Sequence, residues 1–202
     1  MSDIISNILS LVAIIISIYT NHRVTTIHCQ DVQELLYSDV KHLLDNKCNF
    51  YSAEEKVIGV YTGVPYISEN DEKAIERKVC RYFDKDEYEQ LCEILNLCAK
   101  ESDIECDIKM LFDAIKDGEP EKYKKLQGFL MNEEKTTLEW GQEKVNDFLS
   151  TVNISVYLYC GVDAEKTYNY LELRQSRNAL NEQIKKKREE LEKKMEEKMM
   201  TK

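Results

Sequence analysis

Glycine and proline are scarce in this sequence, which has only 6 and 2 of them in 202 residues. Both residues break helices, and both are common in the tight turns that connect strands. A sandwich or barrel of short strands would need many such turns. The scarcity of these two residues, together with abundant Leu, Glu and Lys, therefore predicts an all-α fold with long helices.

The sequence also lacks an excess of positive charge. Lys and Arg number 28 against 38 Asp and Glu, and the formal net charge is −10. Binding to the phosphates of a nucleic acid requires concentrated positive charge, so no nucleic acid is expected as the main partner. The basic run Lys185–Arg188 is followed directly by Glu189 and Glu190 and is only a weak signal for anionic lipid or nucleic acid.

Motifs of familiar enzymes are absent as well. There is no phosphate-binding glycine loop, no dinucleotide fingerprint, no nucleophile elbow and no zinc-protease motif. The acids that begin at Asp84 are spaced like a calcium loop, but Glu89 replaces the central glycine and Leu95 replaces the bidentate glutamate. We therefore predict no catalytic residue, no cofactor and no small-molecule substrate, and an enzyme with an unfamiliar site stays as an alternative.

Cysteine and histidine form no recognisable metal or redox motif. The 7 cysteines are odd in number, and no two of them have the two-residue gap of a zinc knuckle or a redox motif. Most adjoin aliphatic residues, which is typical of reduced thiols packed as small hydrophobic side chains. A site made from His28, Cys29 and His42 is not expected, because adjacent residues of a helix point in different directions. The cysteines therefore favour a reducing compartment, and no metal is predicted.

One long hydrophobic run does occur, at the N-terminus. Ile4–Tyr19 has sixteen residues without a charge, and ten of them are Ile, Leu or Val. As a helix this run is about 24 Å long, and its polar flanks bring it close to the roughly 30 Å hydrocarbon core of a bilayer. The aliphatic residues favour insertion by about 3 to 6 kcal/mol. We therefore predict a membrane anchor over residues 1–23.

Other interpretations of this run stay open. A secretory signal would begin with Lys or Arg and end at a small-residue cleavage site, whereas Asp3 precedes this run and no such site follows it. An interfacial helix, or a helix buried in a core, is a further alternative. For a run that spans the membrane, Arg23 on its C-terminal side places the rest of the chain in the cytoplasm, in agreement with reduced cysteines.

Small residues recur within the run at helical spacing and share one narrow face. They are Ser6, Ser10, Ala13 and Ser17. Such a face lets two transmembrane helices approach closely, and serine hydroxyl groups can bond across the contact. The face predicts either self-association in the bilayer or tolerated small residues on a lone anchor.

Helical patterns fill most of the remaining chain. A helix over Asp31–Asp45 follows the anchor, and its apolar positions are Val32, Leu35, Leu36, Val40, Leu43 and Leu44. Residues 57–67 combine β-branched residues with Gly and Pro and permit a short hairpin or a helix-turn. Capping residues, the closing Gly118 and the opening Pro120 delimit four further predicted helices, over 68–83, 84–100, 102–118 and 119–132.

The stretch 134–160 supports two interpretations. Its first part has the apolar spacing of a helix, whereas residues 152–160 alternate as a strand does. We favour one long helix, because the helical pattern leads directly into the alternating part. No Gly or Pro occurs from Ala164 to the end, which predicts a last helix of almost forty residues.

The last helix carries an apolar face of its own. Its spacing is closer to an ordinary amphipathic helix than to a clean heptad, so a solvated, protruding helix is the first interpretation. A coiled coil or another partner site is the alternative. The residues of this possible partner face are Leu180, Ile184, Leu191, Met195 and Met199.

These patterns predict a single-pass cell-membrane protein in three parts: an anchor over 1–23, a cytoplasmic helical domain over 24–162 and a charged helix over 163–202. The predicted function is a non-enzymatic interaction or scaffold module at the lipid bilayer, which binds a protein partner or a second copy of itself. Two alternatives stay open. One is a membrane-acting effector that oligomerises through its first helix, and the other is a soluble bundle whose first helix is core.

Overall fold

The chain forms a helical domain with one added β-hairpin. The computed structural model describes residues 2–48, 53–58, 68–159 and 163–200, and it describes their side chains except at 2–9, 29–30, 156–159 and 163–166. The helices are α1 (Ser2–Cys48), α2 (Ala53–Ile58), α3 (Glu69–Tyr82), α4 (Lys85–Gly118), α5 (Pro120–Met131), α6 (Glu133–Trp140), α7 (Gln142–Ser150) and α8 (Tyr170–Met200). The strands are β1 (Asn153–Tyr159) and β2 (Asp163–Asn169). The predicted all-α class is confirmed, with this hairpin as the only sheet among the described residues.

Local sequence signals fix several helix ends. Ser68 caps α3, because its hydroxyl group accepts a hydrogen bond from the Asp71 amide (3.2 Å). Asp84 and Glu87 form a reciprocal capping box at the start of α4, in which each side chain accepts from the backbone amide of the other residue. Pro120 opens α5, at a position where a helix has no partner for the missing amide. The acids spaced like a calcium loop therefore begin a helix.

Helices α4 and α8 pack against each other antiparallel along most of their length. Contacts that mark the register join Phe112 with Tyr170, Glu105 with Arg177, Glu93 with Lys187 and Asp84 with Lys198. In these four contacts, the residue number rises along α8 while it falls by a similar amount along α4. The two helices therefore keep one register from the hairpin end of the domain to the end where α4 begins.

We expected two helices over 84–100 and 102–118, and this prediction was wrong, because α4 is one continuous helix. The polar stretch Lys100–Asp103 spans the boundary expected between the two helices and lies in the middle of α4. Its residue Glu101 is turned inward and is only 8% exposed. The interruption of the apolar pattern is therefore the site of a buried charge and not a helix boundary.

The buried apolar side chains form two cores, one on either side of this polar stretch. The first core lies between α1, α3, the first half of α4 and the second half of α8, and it includes Leu36, Val40, Val79, Ile94, Leu191 and Met195. The second core lies between α2, the second half of α4, α5, α7, the hairpin and the start of α8, and it includes Ile108, Leu111, Leu126, Leu149, Val152 and Tyr170. Among the described helices only α4 and α8 contribute to both cores, so this pair joins the two halves of the domain.

Helix α1 runs without a break from Ser2 to Cys48. The helix predicted over Asp31–Asp45 is therefore continuous with the hydrophobic run, and no boundary occurs at residue 23. Only one side of the second half of α1 is buried in the core. Leu36 is 1% exposed, whereas its neighbour Leu35 is 69% exposed and faces away from the core.

The segment 57–67 falls mostly outside the described residues. Of the hairpin or helix-turn expected there, Val57 and Ile58 belong to the short helix α2. Residues 59–67 lie outside the described residues, so the prediction for them stays open.

The hairpin corrects two further predictions. We favoured one long helix over 134–160 and one helix from Ala164 to the end. The first stretch instead forms α6 and α7, separated at Gly141, and then a strand. Strands β1 and β2 pair antiparallel from Asn153 opposite Asn169 to Tyr159 opposite Asp163. Helix α8 begins only after the second strand.

The alternation of side chains explains the hairpin. Tyr168 is buried in the second core and its pairing partner Ile154 packs against that core. The next pair, Ser155 and Thr167, is exposed, and its hydroxyl oxygens lie 3.0 Å apart. The alternation of buried and exposed side chains every two residues is therefore that of a strand. The helical pattern that precedes it ends with α7.

The apolar face of α8 is turned inward. Ile184, Leu191 and Met195 are buried in the first core, Leu180 packs against that core, and Met199 is half-buried beside it. This possible partner face is therefore covered by α1, α3 and α4 of the same chain. The last helix does not protrude into solvent as we first expected, since its core contacts extend to within a few residues of its end.

Two neighbouring leucines of α1 test this packing. Leu36→Ala should lower the free energy of unfolding by about 2 to 5 kcal/mol, because it removes a fully buried side chain from the first core. Leu35→Ala makes the same chemical change one residue away on the exposed side and should change it by less than about 0.5 kcal/mol. Urea denaturation of the two variants measures both values, and equal losses would contradict the register of α1.

Candidate functional site

The N-terminal arm, which we define as residues 10–28 of α1, lies outside both cores. All of its side chains described in the structure are exposed. Nine of them are large hydrophobic residues with 45–66% exposure: Leu11, Val12, Ile14, Ile15, Ile16, Ile18, Tyr19, Val24 and Ile27. Consecutive residues of a helix point in different directions, so the apolar surface of the arm extends over several sides of the helix, mainly at residues 11–19. Monomeric soluble proteins rarely expose an apolar patch larger than roughly 600 Å², and the arm is therefore a surface suited to being covered.

Hydroxyl groups on the arm find partners within the helix. Thr25 Oγ1 donates to the Asn21 carbonyl oxygen (2.8 Å), and Thr26 Oγ1 donates to the His22 carbonyl oxygen (2.9 Å). A hydroxyl group that bonds its own helix needs no donor or acceptor from its surroundings. These threonines are therefore compatible with an apolar environment.

The face of small residues lies on this arm. Ser10, Ala13 and Ser17 are exposed there, and the side chain of Ser6 lies outside the described residues. Self-association through this face stays a prediction. The transmembrane span is not confirmed: of the helices in the described part of the chain, none combines the length and the apolar character that crossing a membrane requires.

A buried charge cluster lies between the two cores, where α2, α4 and α8 meet. We define it by Glu54 of α2, Glu101 and Glu105 of α4, and Tyr170, Arg174 and Arg177 of α8. Residues three or four apart on a helix share a face, so α4 directs two carboxyl groups and α8 directs two guanidinium groups into the same space. Glu54, Glu101 and Arg177 are each at least nine-tenths buried.

The cluster is held together by direct hydrogen bonds and ion pairs. Arg177 contacts Glu54 and also lies 3.0 Å from Glu105. The Tyr170 hydroxyl group donates to Glu54 at 2.6 Å, and Glu105 accepts a hydrogen bond from the backbone amide of Ala53. These contacts fasten the short helix α2 to the α4–α8 pair.

Arg174 extends the cluster to α6. Its Nη2 atom binds both carboxylate oxygens of Glu133, at 2.6 and 2.7 Å, and its Nε atom lies 3.5 Å from Glu54. An arginine that binds two carboxylates fixes the orientation of both. The arrangement therefore joins four helices at one point.

The cluster contains more carboxyl groups than guanidinium groups, and this imbalance changes its acid–base behaviour. Burial and, after it, the negative charge of Glu105 raise the pKa of Glu101 to about 7, and Arg177 partly opposes both. Burial also raises the pKa of Glu105 and that of Tyr170. Glu101 consequently gains a proton near neutral pH, which relieves the repulsion within the cluster.

An aromatic groove forms a third feature, between α5, α6 and α7. Phe148 forms its floor, with ring centroids 5.7 Å from Phe129 and 6.0 Å from Trp140, the latter edge to face. Lys125 and Lys135 line the groove as well, and its volume is about 730 Å³. Gly141, with a φ of +79°, makes the turn that places α6 against α7, in a conformation that favours glycine.

Metal binding finds no support in the described residues. They contain no group of three His, Cys, Asp or Glu side chains that could hold a metal ion. His22 and His28 are exposed on the arm, and His42 is exposed further along α1.

No protein-family model, no curated protein and no solved structure matches this chain. The arm, the buried charge cluster and the aromatic groove are therefore the grounds for a function. Only the arm was anticipated from the sequence. The spacing of Glu101 with Glu105 and of Arg174 with Arg177 was the available signal for the cluster, but acids and bases with this spacing are usually on solvated faces.

The raised pKa of Glu101 makes stability depend on pH. Between about pH 4.5 and 7 the folded state binds more protons at this residue than the unfolded state, so the free energy of unfolding falls as the pH rises. Glu101→Gln should therefore stabilise the protein by roughly 1 to 3 kcal/mol at pH 8 and change little at pH 5.

Denaturation at both pH values measures this effect. Asp103→Asn, at an exposed acid of the same helix, is the matched control and should differ from the wild type by less than about 0.5 kcal/mol at either pH. Destabilisation by Glu101→Gln at pH 8 would mean that the charged form of Glu101 is the favoured one.

Proposed function

We propose that this chain is a membrane-held adaptor, a non-enzymatic module that inserts its N-terminal arm into a lipid bilayer and offers its helical domain to a protein partner. The observation that carries this proposal is the arm itself. Its large apolar side chains are exposed and point in several directions, yet it belongs to the same unbroken helix as the α1 residues of the first core.

A bilayer suits the arm better than a single protein partner does. One partner helix covers a seam of about two residues in seven. The consecutive residues Ile14, Ile15 and Ile16 point in three directions, and each is more than half exposed. Lipid surrounds a helix and covers all of these directions at once.

The sequence that precedes the arm extends its apolar length. Ile4–Tyr19 would cover about 24 Å as a helix, which a locally thinned bilayer accommodates at modest cost. We assign a single span, with the domain on the cytoplasmic side, because Arg23 is the first basic residue after the run. The helix continues past Arg23 into the domain, so the orientation of the anchor sets the orientation of the domain.

Contacts near the base of the arm support a proposed orientation, in which the end of the domain where α3 and α8 end faces the membrane. Gln33 donates to the carbonyl oxygen of Tyr82 at the end of α3 (3.1 Å), and Tyr37 donates to Glu196 near the end of α8 (3.1 Å). Helix α4 starts at this end and is about 50 Å long. The second core and the aromatic groove belong to the opposite half of the domain, away from the arm.

The aromatic groove supports a partner site at that far end. Helices α5 and α6, which line it, also carry exposed apolar residues, with Met131 at 63% and Leu138 at 87% exposure. Its occupant is an amphipathic helical segment that places apolar side chains on Phe148 and Trp140 and acidic side chains near Lys125, since Lys135 already pairs with Glu139 of the same lining. The tail face predicted from the sequence is not available for this role, because it forms part of the first core.

An effector that oligomerises in the bilayer is the second candidate. It is favoured by the exposure of Ser10, Ala13 and Ser17 on one side of the arm. Both candidates place the arm in lipid, and they differ in whether the arm binds a second copy there.

Membrane insertion is tested by charging the arm. Ile15→Lys together with Ile16→Lys should abolish flotation with liposomes, because each lysine near the centre of a span costs about 2.5 to 3.5 kcal/mol. The control, Met131→Lys with Leu138→Lys, adds the same charges at exposed apolar residues of the domain and should float like the wild type. Flotation after an alkaline carbonate wash is the measurement, and a wild type that stays unbound would refute the proposal.

The groove is tested by filling it. Added side chains find open space at both Gly128, which lines the groove, and Gly118, at the end of α4. Peptides selected from a displayed library on the wild type should be amphipathic and acidic, and Gly128→Leu should weaken their binding at least about tenfold, or 1.4 kcal/mol. Gly118→Leu should leave binding unchanged. Equal binding of the peptides to the wild type, Gly128→Leu and Gly118→Leu would mean that the partner site is not the groove.

A further inference from the structure

Two thiols from different helices meet at the edge of the first core. Cys48 is the last residue of α1 and Cys98 lies in the first half of α4, and their sulfur atoms are 3.7 Å apart. A disulfide bond has a sulfur–sulfur distance of about 2.05 Å, so the two atoms are less than about 2 Å from bonding distance. Side-chain rotation with a small shift of the helix end can supply such a movement.

The surroundings make the two thiols unequal. The hydrogen bond with Cys98 lowers the pKa of Cys48, and the positive charge of Arg188 lowers it further. The same contact, together with burial, raises the pKa of Cys98. Cys48 is half-buried, whereas Cys98 is 3% exposed. Cys48 is therefore the more readily ionised of the two thiols and has access to solvent, while Cys98 is buried behind it.

Arg188 is fixed beside Cys48 by two acids. Its guanidinium group contacts Asp45 of α1 and donates to Glu192 of α8 at 2.8 Å. A cation held at a partly exposed thiol, with a second thiol in reach, is the arrangement found at redox-sensitive cysteines.

We propose that Cys48 and Cys98 are a redox-modification site, at which a hydroperoxide oxidises Cys48 and Cys98 then closes a disulfide bond between α1 and α4. In the first step the Cys48 thiolate attacks an oxygen of hydrogen peroxide. The S–O bond forms, the O–O bond breaks, and the leaving hydroxide takes a proton to become water. Cys48 is then a sulfenic acid.

In the second step the Cys98 sulfur attacks the Cys48 sulfur. The S–S bond forms, the S–O bond breaks, and the departing oxygen leaves as a second water with the proton of Cys98. Two thiols and one hydrogen peroxide give one disulfide and two waters, so the two electrons lost by the sulfurs reduce the peroxide.

The other described cysteines have different surroundings. Hydrogen bonds that the Tyr88 hydroxyl group makes to Cys80 and then to Cys92 raise the pKa of Tyr88 to about 12, so these two thiols face a phenol. Cys106 is exposed on α4 and serves as an internal reference for unassisted oxidation.

The disulfide would change how α1 is held. It would tie the end of the helix that carries the arm to the helix that both cores share, and it would close the chain between residues 48 and 98 into a loop. Closing a loop restricts the unfolded chain, so the oxidised protein should melt at a higher temperature than the reduced protein.

Peptide mapping of the reduced full-length wild type tests the proposal. After hydrogen peroxide treatment, free thiols are blocked with N-ethylmaleimide and the digest is examined by mass spectrometry. The expected result is a peptide pair linked through Cys48 and Cys98, with both thiols lost before Cys106. Oxidation of Cys106 without any peptide pair linked through Cys48 and Cys98 would overturn the proposal.

Variants separate the two steps. Cys98→Ser should leave Cys48 as a sulfenic acid that dimedone labels, and Arg188→Gln should slow the loss of the Cys48 thiol several-fold, while Arg188→Lys keeps most of the rate. The oxidised wild type should melt above the reduced form, and Cys48→Ser should show no such difference. Equal rates in all Arg188 variants, or a melting temperature that oxidation does not raise, would contradict the account. The wild-type peptide map decides the question even where a variant does not fold.

Discussion

The antiparallel contact between α4 and α8 is the constraint on which the rest of the structure depends. Both cores are built on this pair, and the buried charge cluster lies at its middle. Sliding α8 by one turn toward the hairpin, about 5.4 Å, would take Arg177 away from Glu105 and Glu54 and bring no arginine into its place. An unpaired buried charge costs several kcal/mol, so the cluster acts against a wrong register more than it adds to stability.

The second constraint is the continuity of α1. One helix carries the exposed arm at its start, core leucines in its second half and Cys48 at its end. Lipid bound to the arm and a disulfide bond formed at Cys48 would therefore both act on helix α1. This continuity gives the proposed anchor a defined geometry and gives the proposed disulfide a way to influence it.

The sequence predicted the helical class because that prediction depends on periodicity and on scarce Gly and Pro, which are local properties. It also predicted the cap at Ser68 and the start of α5 at Pro120, where single residues have strong effects. It failed at Glu101, because an inward-facing acid looks like a polar boundary until the charge cluster that it joins, with Arg177 more than seventy residues away, is known. The hairpin was missed for a related reason, since Tyr168 and Ile154 gain their burial from the second core and not from their neighbours in sequence.

The features of the candidate site also differ in whether the sequence alone could predict them. The apolar arm is a continuous run and was visible in the sequence, whereas the aromatic groove brings Phe129, Trp140 and Phe148 together from three helices. The tail residues Leu191 and Met195 have an apolar face whose partner is set by tertiary packing. Periodicity shows that such a face is covered, but it does not show whether the cover comes from the same chain or from another.

Hydrogen exchange on the full-length protein, with and without liposomes, tests the central claim most directly. The account predicts that the backbone amides of residues 10–28 exchange much more slowly when lipid is present, on all sides of the helix, while the amides of α4 and α8 stay unchanged. Slow exchange in the arm without lipid, increasing with protein concentration, would show that a second copy covers it. Unchanged exchange in lipid would contradict the membrane-held account.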